Sequence, residues 1–274
     1  MRHKEQQGFL TVACNSDAVD YLQLAYLQGL NVKKTQKNNK FAVVVDRQTN
    51  QKILEKHKKV FDYIIEAPEH AYGQFGTEAF LFELTPFKET IKLESDLLLT
   101  RSIDHWIHTF RLRDIVLSTG CKNYRQENSS VRKYRKTFDD NHLPDVYNGL
   151  MYFRFTKTAK DFFDHAKSIF ANWESIKNSL KNCREDVPST DLVFALAARL
   201  VGEELCTLPS ADFVNFVHMK PAINNFDNEL SFDEVFVSEF DQGMIRINNI
   251  NQYHPLHYYD KQFVDQGLVD YYER

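Results

Sequence analysis

The chain reads as an α/β protein with a mostly parallel central sheet, and three observations predict this. Two near-continuous apolar runs, Gly8–Asn15 and Phe41–Asp46, suit strands covered on both faces. Segments of helical periodicity alternate with such runs through the first half. In Thr85–Arg101, the residues Thr90, Ile91 and Leu93 form a short strand that runs straight into Glu94 and Asp96.

In chain order, Gly8–Asn15 is the first strand, and Asn15 or Ser16 caps the helix that follows. In that helix Val19, Leu22, Tyr26 and Leu30 recur at helical spacing, and Leu24 and Leu27 widen the apolar face. Phe41–Asp46 is the second strand. A helix around Gln51–Phe61 turns Ile53, Leu54, Val60 and Phe61 inward, and Asp62–Ala67 is the third strand. Residues 68–84, with Pro68, Gly73 and Gly76, read as a loop before the Thr90 strand. A helix near Asp104–Arg113 and a strand at Ile115–Ser118 follow, then the polar, basic stretch Lys122–Lys136. Gly149–Phe155 is a strand and Lys160–Trp173 a helix that packs Phe162, Phe163, Ala166 and Phe170. Pro188, Ser189 and Thr190 open a helix over Asp191–Leu200. Short strands at Leu205–Leu208 and Phe213–His218 come next, and a hairpin over Val235–Ile247 turns at Asp241-Gln242-Gly243.

Composition narrows the classes. With 274 residues, 22 of them Phe and 13 Tyr, the chain can bury one large core, and a single domain over 1–274 is expected. A net charge of −4 excludes an overall basic coat for nucleic acid, leaving a local patch open. Cys14, Cys121, Cys183 and Cys206 lack any C-x-x-C spacing and read as free thiols in a reducing compartment. The amino terminus is polar and no apolar run has the length of a spanning helix, so a cytoplasmic protein without a membrane anchor is expected.

The chemistry starts from Glu94 and Asp96. Strand alternation puts residues i and i+2 on one face, so both carboxylates point the same way. Such a pair at the carboxyl end of a strand is half a site for a divalent cation carrying phosphates. Taken alone, the triplet fits a solvated pair at a strand exit equally well.

The surrounding order adds a resemblance. Phe9-Leu-Thr-Val-Ala-Cys-Asn-Ser-Asp17, the helix after it, the Phe41–Asp46 strand and Ile91-Lys-Leu-Glu-Ser-Asp96 resemble nucleotide-sugar glycosyltransferases of the GT-A type. The similarity is greatest to the retaining family 8 group that includes glycogenin. Tyr147-Asn-Gly-Leu-Met-Tyr-Phe153 resembles that family's Asn-Ser-Gly strand, Ser189-Thr-Asp191 its Asp-Gln helix start, and Asn215-Phe-Val-His218-Met-Lys220-Pro221 its late His…Lys-Pro element. The resemblance spans about residues 8–222 and implies a Rossmann-like GT-A fold. It further implies a nucleotide-binding half over 8–120, an acceptor- and sugar-binding half over 121–222 and a carboxyl-terminal extension over 223–274.

The resemblance implies residue roles as well. Glu94, Asp96 and His218 would hold Mn²⁺ or Mg²⁺, and Lys220 would sit on the diphosphate of a nucleotide-sugar donor, a uridine one by preference. Cys14, Asn15, Tyr21, Lys88, Ser95 and Gly149 would line the donor, with Asn15 equally suited to being a mere helix cap. Asp191, Asn148 and Lys88 would stand nearest the reaction, which the resemblance implies is retaining. Two departures are visible: Glu94 replaces the commoner Asp, and His218 and Lys220 stand closer together than the family's glycine-containing spacer.

For the acceptor, Lys122, Arg125, Arg132, Lys133 and Arg135 interleave with Tyr124 and Tyr134, a mixture that suits phosphates and stacked bases and also an ordinary solvated loop. The chain as a whole also resembles glycosyltransferase-type proteins of T-even-like tailed phages. That resemblance implies 5-hydroxymethylated cytosine in phage DNA as the acceptor and the host cytoplasm as the place. A protein or polysaccharide acceptor, or a non-catalytic binding module on the same fold, are the other readings. The aromatic tail, Tyr253, His254, His257, Tyr258 and Tyr259, is open to a role in self-association.

Overall fold

A computed structural model describes residues 5–71, 76–209, 214–227 and 229–274. Gly73 and Phe213, named above in a loop and a strand, lie outside the described residues. The first half lays down β1 (Glu5–Val12), β2 (Phe41–Val45), β3 (Tyr63–Glu66), β4 (Phe87–Leu93) and β5 (Leu97–Leu98). Next come β6 (Ile115–Thr119), β7 (Cys121–Lys122), β8 (Asn128–Ser129), β9 (Val146–Arg154) and β10 (Val217–His218). The tail adds β11 (Ser238–Asp241), β12 (Met244–Ile247), β13 (Ile250–Asn251) and β14 (Leu256–His257).

The expected α/β fold is present. The central sheet runs β3-β2-β1-β4-β9-β6, and β3, β2, β1 and β4 are parallel neighbours. Strand β9 enters antiparallel between β4 and β6. All five residues of β2 are buried, as a parallel strand covered on both faces requires. Gly8 lets β1 approach the Phe87 ring, since an added Cβ there would lie 2.3 Å from it. The helices Lys157–Ala171 and Thr190–Val201 pack on one another through Phe162 and Phe194, with ring centroids 5.1 Å apart.

A second sheet, β5-β14-β10-β7-β8, begins just past β4. Its β14 lies antiparallel to β5 and parallel to β10, so it stands between the acidic turn and the late His218 strand. The hairpin β11–β12 turns at Gln242 and Gly243, both with positive φ, as expected of a two-residue loop. The closing helix Gln266–Glu273 returns to the Tyr21–Thr35 helix, where the Tyr26 hydroxyl donates to Glu273 Oε1 at 2.8 Å.

Several elements differ from the sequence reading. The expected helix over 51–61 is two short ones, Arg47–Asn50 and Glu55–Val60. Asp46 caps the first by accepting from Thr49 N at 2.7 Å, and Leu54 is exposed while His57 turns inward. Asp20 rather than Ser16 is the N-cap of the first helix, with Asn15 Oδ1 also accepting from Leu22 N. The expected loop over 68–84 contains 3-10 turns at Glu69–Ala71 and Gly76–Phe80 and a short helix at Leu81–Leu84. Glu203–Cys206 is a helical turn instead of a strand, because Gly202 at φ +118° ends one helix and allows a new one to begin. Among the described residues no helix is long and apolar enough to cross a membrane, and all four cysteines are free.

Candidate active site

Strands β1, β2 and β4 end on one edge of the sheet, where a cavity of about 750 Å³ opens. This is where parallel sheets bind ligands, outside the carboxyl ends of their strands. Cys14 and Asn15 line it after β1, Asp46 after β2, and Glu94, Ser95 and Asp96 after β4. Tyr21 joins from the first helix, Thr77 and Glu78 from the 3-10 turn, and Ser189, Thr190 and Asp191 from a helix start. Tyr259 and Lys261 of the tail close it.

The chain turns sharply after β4, with Glu94 N donating to Gly149 O at 2.9 Å and Leu97 N to Glu94 O at 3.1 Å. Gln28, a fully buried polar residue of the first helix, donates its amide to Glu94 O and, at 2.7 Å, to Leu97 O. Pinned in this way, the turn presents both carboxylates together. His257 completes the group: its Nε2 lies 3.1 Å from Glu94 Oε2 and 3.1 Å from Asp96 Oδ2. One ligand atom from each of Glu94, Asp96 and His257 lies within 4.8 Å of the others. Lys261 contacts Asp96 through its ammonium.

Burial alone would push the His257 imidazolium down, but the adjoining Asp96 and Glu94 carboxylates raise it to about 9. Burial likewise opposes ionisation of Asp96, yet His257 and Lys261 hold its carboxyl far below the usual range. Two carboxylate oxygens and an imidazole nitrogen are a fitting donor set for Mg²⁺ or Mn²⁺. Glu94 Oε2 is buried and faces His257 Nε2 at 3.1 Å, so a cation bound there would take the place of the ring proton.

The expected third ligand, His218, is not in this group. It is the register partner of His257 in the small sheet, and because β14 lies between β5 and β10 it stands one strand farther from the acids. Its Nδ1 faces His257 Nδ1 at 2.7 Å, and its Nε2 faces the Tyr147 hydroxyl at 3.1 Å. Burial, helped by the charge on His257, holds its pKa well below the ordinary imidazole value. The short His218–Lys220 spacing is the signal in the sequence that points elsewhere. His257 and Lys261, a second and wider pair from the stretch read as an extension, occupy the cavity instead.

Among the other expected residues, Cys14, Asn15, Tyr21, Ser95 and Asp191 line the cavity. The Asn15 side chain is consumed by Asp20 and Leu22, which is its capping role. Asn148 lies behind the wall, donating its backbone N–H to Asp191 Oδ1 at 2.7 Å. Lys88 does not join: it is exposed near the start of β4, whereas the acids follow that strand's end. Gly149 serves packing, since an added Cβ would lie 2.7 Å from the Phe216 ring. Lys220 is half-buried over the Tyr134 ring, 4.3 Å from its centroid, and burial lowers its pKa.

The basic segment, read as an acceptor-binding stretch or an ordinary solvated loop, has its cations largely paired within the chain. Lys122 is buried and donates to Asn128 Oδ1 at 2.8 Å, and Arg125 donates to the Tyr124 hydroxyl at 3.0 Å. Arg132 pairs with Asp139 at 2.6 Å, and Lys133 donates to Asn225 Oδ1 at 2.9 Å. Arg135 lines the cavity and pairs with Asp191 at 2.5 Å. Residues that sequence reasoning missed are His257, Lys261 and Glu78. The last was hidden in an expected loop.

No protein family and no curated protein sequence matches the chain. Solved structures do. The galactosyltransferase LgtC, in complex with donor and acceptor sugar analogs, aligns over 97% of this chain and 94% of its own, with TM-score 0.54 and 10% identity. The fold is GT-A. An active-site mutant of LgtC shares this GT-A architecture at TM-score 0.52 and 13% identity over the same shares, 97% and 94%. Mouse xyloside xylosyltransferase 1 in its apo form aligns over 75% of this chain and 85% of its own, with TM-score 0.48 and 11% identity.

Proposed function

We propose that the protein is a metal-dependent glycosyltransferase that moves a sugar from a uridine diphosphate sugar to an acceptor hydroxyl, with retention, in the cytoplasm. One observation carries this reading: Glu94, Asp96 and His257 meet at the strand ends of a GT-A sheet, beside a cavity of about 750 Å³. That volume falls in the range of small-molecule sites.

Glu94, Asp96 and His257 are the residues that would hold Mn²⁺ or Mg²⁺. When bound, such a cation neutralises the charge that develops on a departing diphosphate. To offer a lone pair at Nε2, His257 keeps its proton on Nδ1 and donates it to His218 Nδ1. His218 then carries its own proton on Nε2, toward the Tyr147 oxygen. Lys261 is placed to shift its ammonium from Asp96 to a phosphate oxygen. Cys14, Asn15, Tyr21 and Ser95 would form the nucleotide end, and Asp191, held by Arg135 and by Asn148 N, the sugar end.

For the acceptor, the phage-like character of the sequence and the exposed positions of Arg125 and Lys133 support hydroxymethylated cytosine in DNA. A protein or polysaccharide acceptor is favoured by a different observation: the cations of the basic segment already have partners within the molecule. The test is a panel of uridine diphosphate sugars with and without Mn²⁺, read as release of UDP. Metal-dependent release that disappears in Asp96→Ala and in His257→Ala supports the enzyme. No release from any donor overturns it in favour of a binding module. Absence of transfer to hydroxymethylated DNA from a donor that is turned over would remove the DNA reading, and transfer insensitive to salt and to joint replacement of Arg125 and Lys133 would remove these two cations from it.

A further inference from the structure

Resting on the donor reading above, we propose that Glu78 selects the donor sugar, accepting hydroxyl hydrogens at the inner end of the cavity and turning away sugars that carry a carboxylate of their own. Glu78 lines the cavity from the Gly76–Phe80 turn. Its Oε1 lies 2.8 Å from Lys92 Nζ, and its Oε2 accepts from the Asn148 amide. Lys92 is completely buried on β4 and donates also to Asn148 O at 3.1 Å. The carboxylate is therefore fixed from behind. A carboxylate has about four acceptor positions, and Lys92, Asn148 and Thr190 take up to three of them, so acceptor capacity remains toward the cavity.

A second observation points to a ligand rich in hydroxyls. Thr190 is 4% exposed and its hydroxyl reaches the Glu78 carboxylate only in loose alignment, while the buried Ser189 hydroxyl next to it has no partner. Both line the same cavity. A sugar hydroxyl that donates to Glu78 can accept from one of these, which satisfies both groups at once.

The charges decide which sugars fit. Glu78, Asp191 and Glu94 are all acidic at this end, and the cations of the cavity are already committed: Lys92 to Glu78, Arg135 to Asp191, and Lys261, now on Asp96, to the diphosphate in the reading above. A uronic-acid sugar would bring a further carboxylate among these with no free cation to meet it among the described lining residues. Burial pushes the Glu78 carboxyl above its ordinary range and Lys92 draws it back, so the test is run on the alkaline side, at pH 8.

The experiment is calorimetric titration of the full chain at pH 8 with MnCl₂, using UDP, UDP-glucose and UDP-glucuronate. UDP-glucose is expected to bind more tightly than UDP, and UDP-glucuronate about tenfold or more weakly than UDP-glucose. In Glu78→Gln the ratio of the two sugars should shrink to about threefold or less while UDP affinity holds within about twofold. Equal affinity of the unaltered protein for both sugars overturns the proposal without any variant. An unchanged ratio in folded Glu78→Gln, or in Glu78→Asp, overturns it as well. Failure of UDP itself to bind would sink the uridine donor reading and this proposal with it, an outcome distinct from UDP binding with no sugar preference.

Discussion

The acidic end of the cavity and the basic segment 122–136 are both charged, and they are completed differently. At the acidic end, the Ser189 hydroxyl is buried without a partner, and Glu94 Oε2 and the Thr190 hydroxyl have only loosely aligned ones, His257 and Glu78. In the basic segment Lys122, Arg125, Arg132, Lys133 and Arg135 each reach an acceptor within the chain. Buried polar groups are nearly always satisfied, so a cluster that the fold leaves incomplete marks a place where a ligand finishes the set. A run whose members are all engaged acts as bracing. The basic segment is thus mostly structural, and the sparser acids carry the chemistry.

The sharpest way to break this contrast is at Lys92, which joins the cavity to the core. Replacing it with Met leaves the Glu78 carboxylate buried without its cation, which should cost about 3–5 kcal/mol in urea denaturation. Removing a ligand comes next. Asp96→Ala or His257→Ala should weaken Mn²⁺ binding by calorimetry more than the about 10–100-fold that a supporting partner is worth. His218→Phe, which keeps the bulk but not the hydrogen bond to His257, should fall within that range and leave the fold intact by circular dichroism. If it costs nothing, His218 is core and not support.

Acid titration tests the half-buried His254, whose pKa burial lowers to about 4 from 6.5. The folded state binds this proton less readily than the unfolded one. The stability tied to the neutral ring is therefore complete above pH 6.5 and lost as pH falls toward 4. Allowing for its partial exposure, His254→Gln should flatten the acid limb of thermal stability by about 1 kcal/mol. The smallest effect belongs to the outer bracing. Arg132→Ala should cost about 1 kcal/mol or less, because its partner Asp139 is more than half exposed.

Much of this could be read before folding. Buried runs such as Phe41–Val45 announce parallel strands because both faces are covered, and the acids after β4 follow from strand and turn chemistry within one short segment. His257 could not be read in that way. Its position depends on β14 pairing with β5, a contact between residues more than 150 positions apart, and on β14 lying inside β10. Two histidines of similar local setting, His218 and His257, differ only in that order. Lys88 shows the converse: it precedes the expected strand by two residues, and in the structure it lies on β4 at the end away from the acids.

Local chemistry along the chain determined most of the central strands and longer helices, and that Glu94 and Asp96 stand together, since each of these depends on residues a few positions apart. Tertiary structure alone decided which imidazole reaches the acids, that Lys92 stands behind Glu78, and that the basic run is braced. Those outcomes depend on which distant strands and turns become neighbours, and a charged side chain spends itself on whatever the packed chain brings within hydrogen-bond reach.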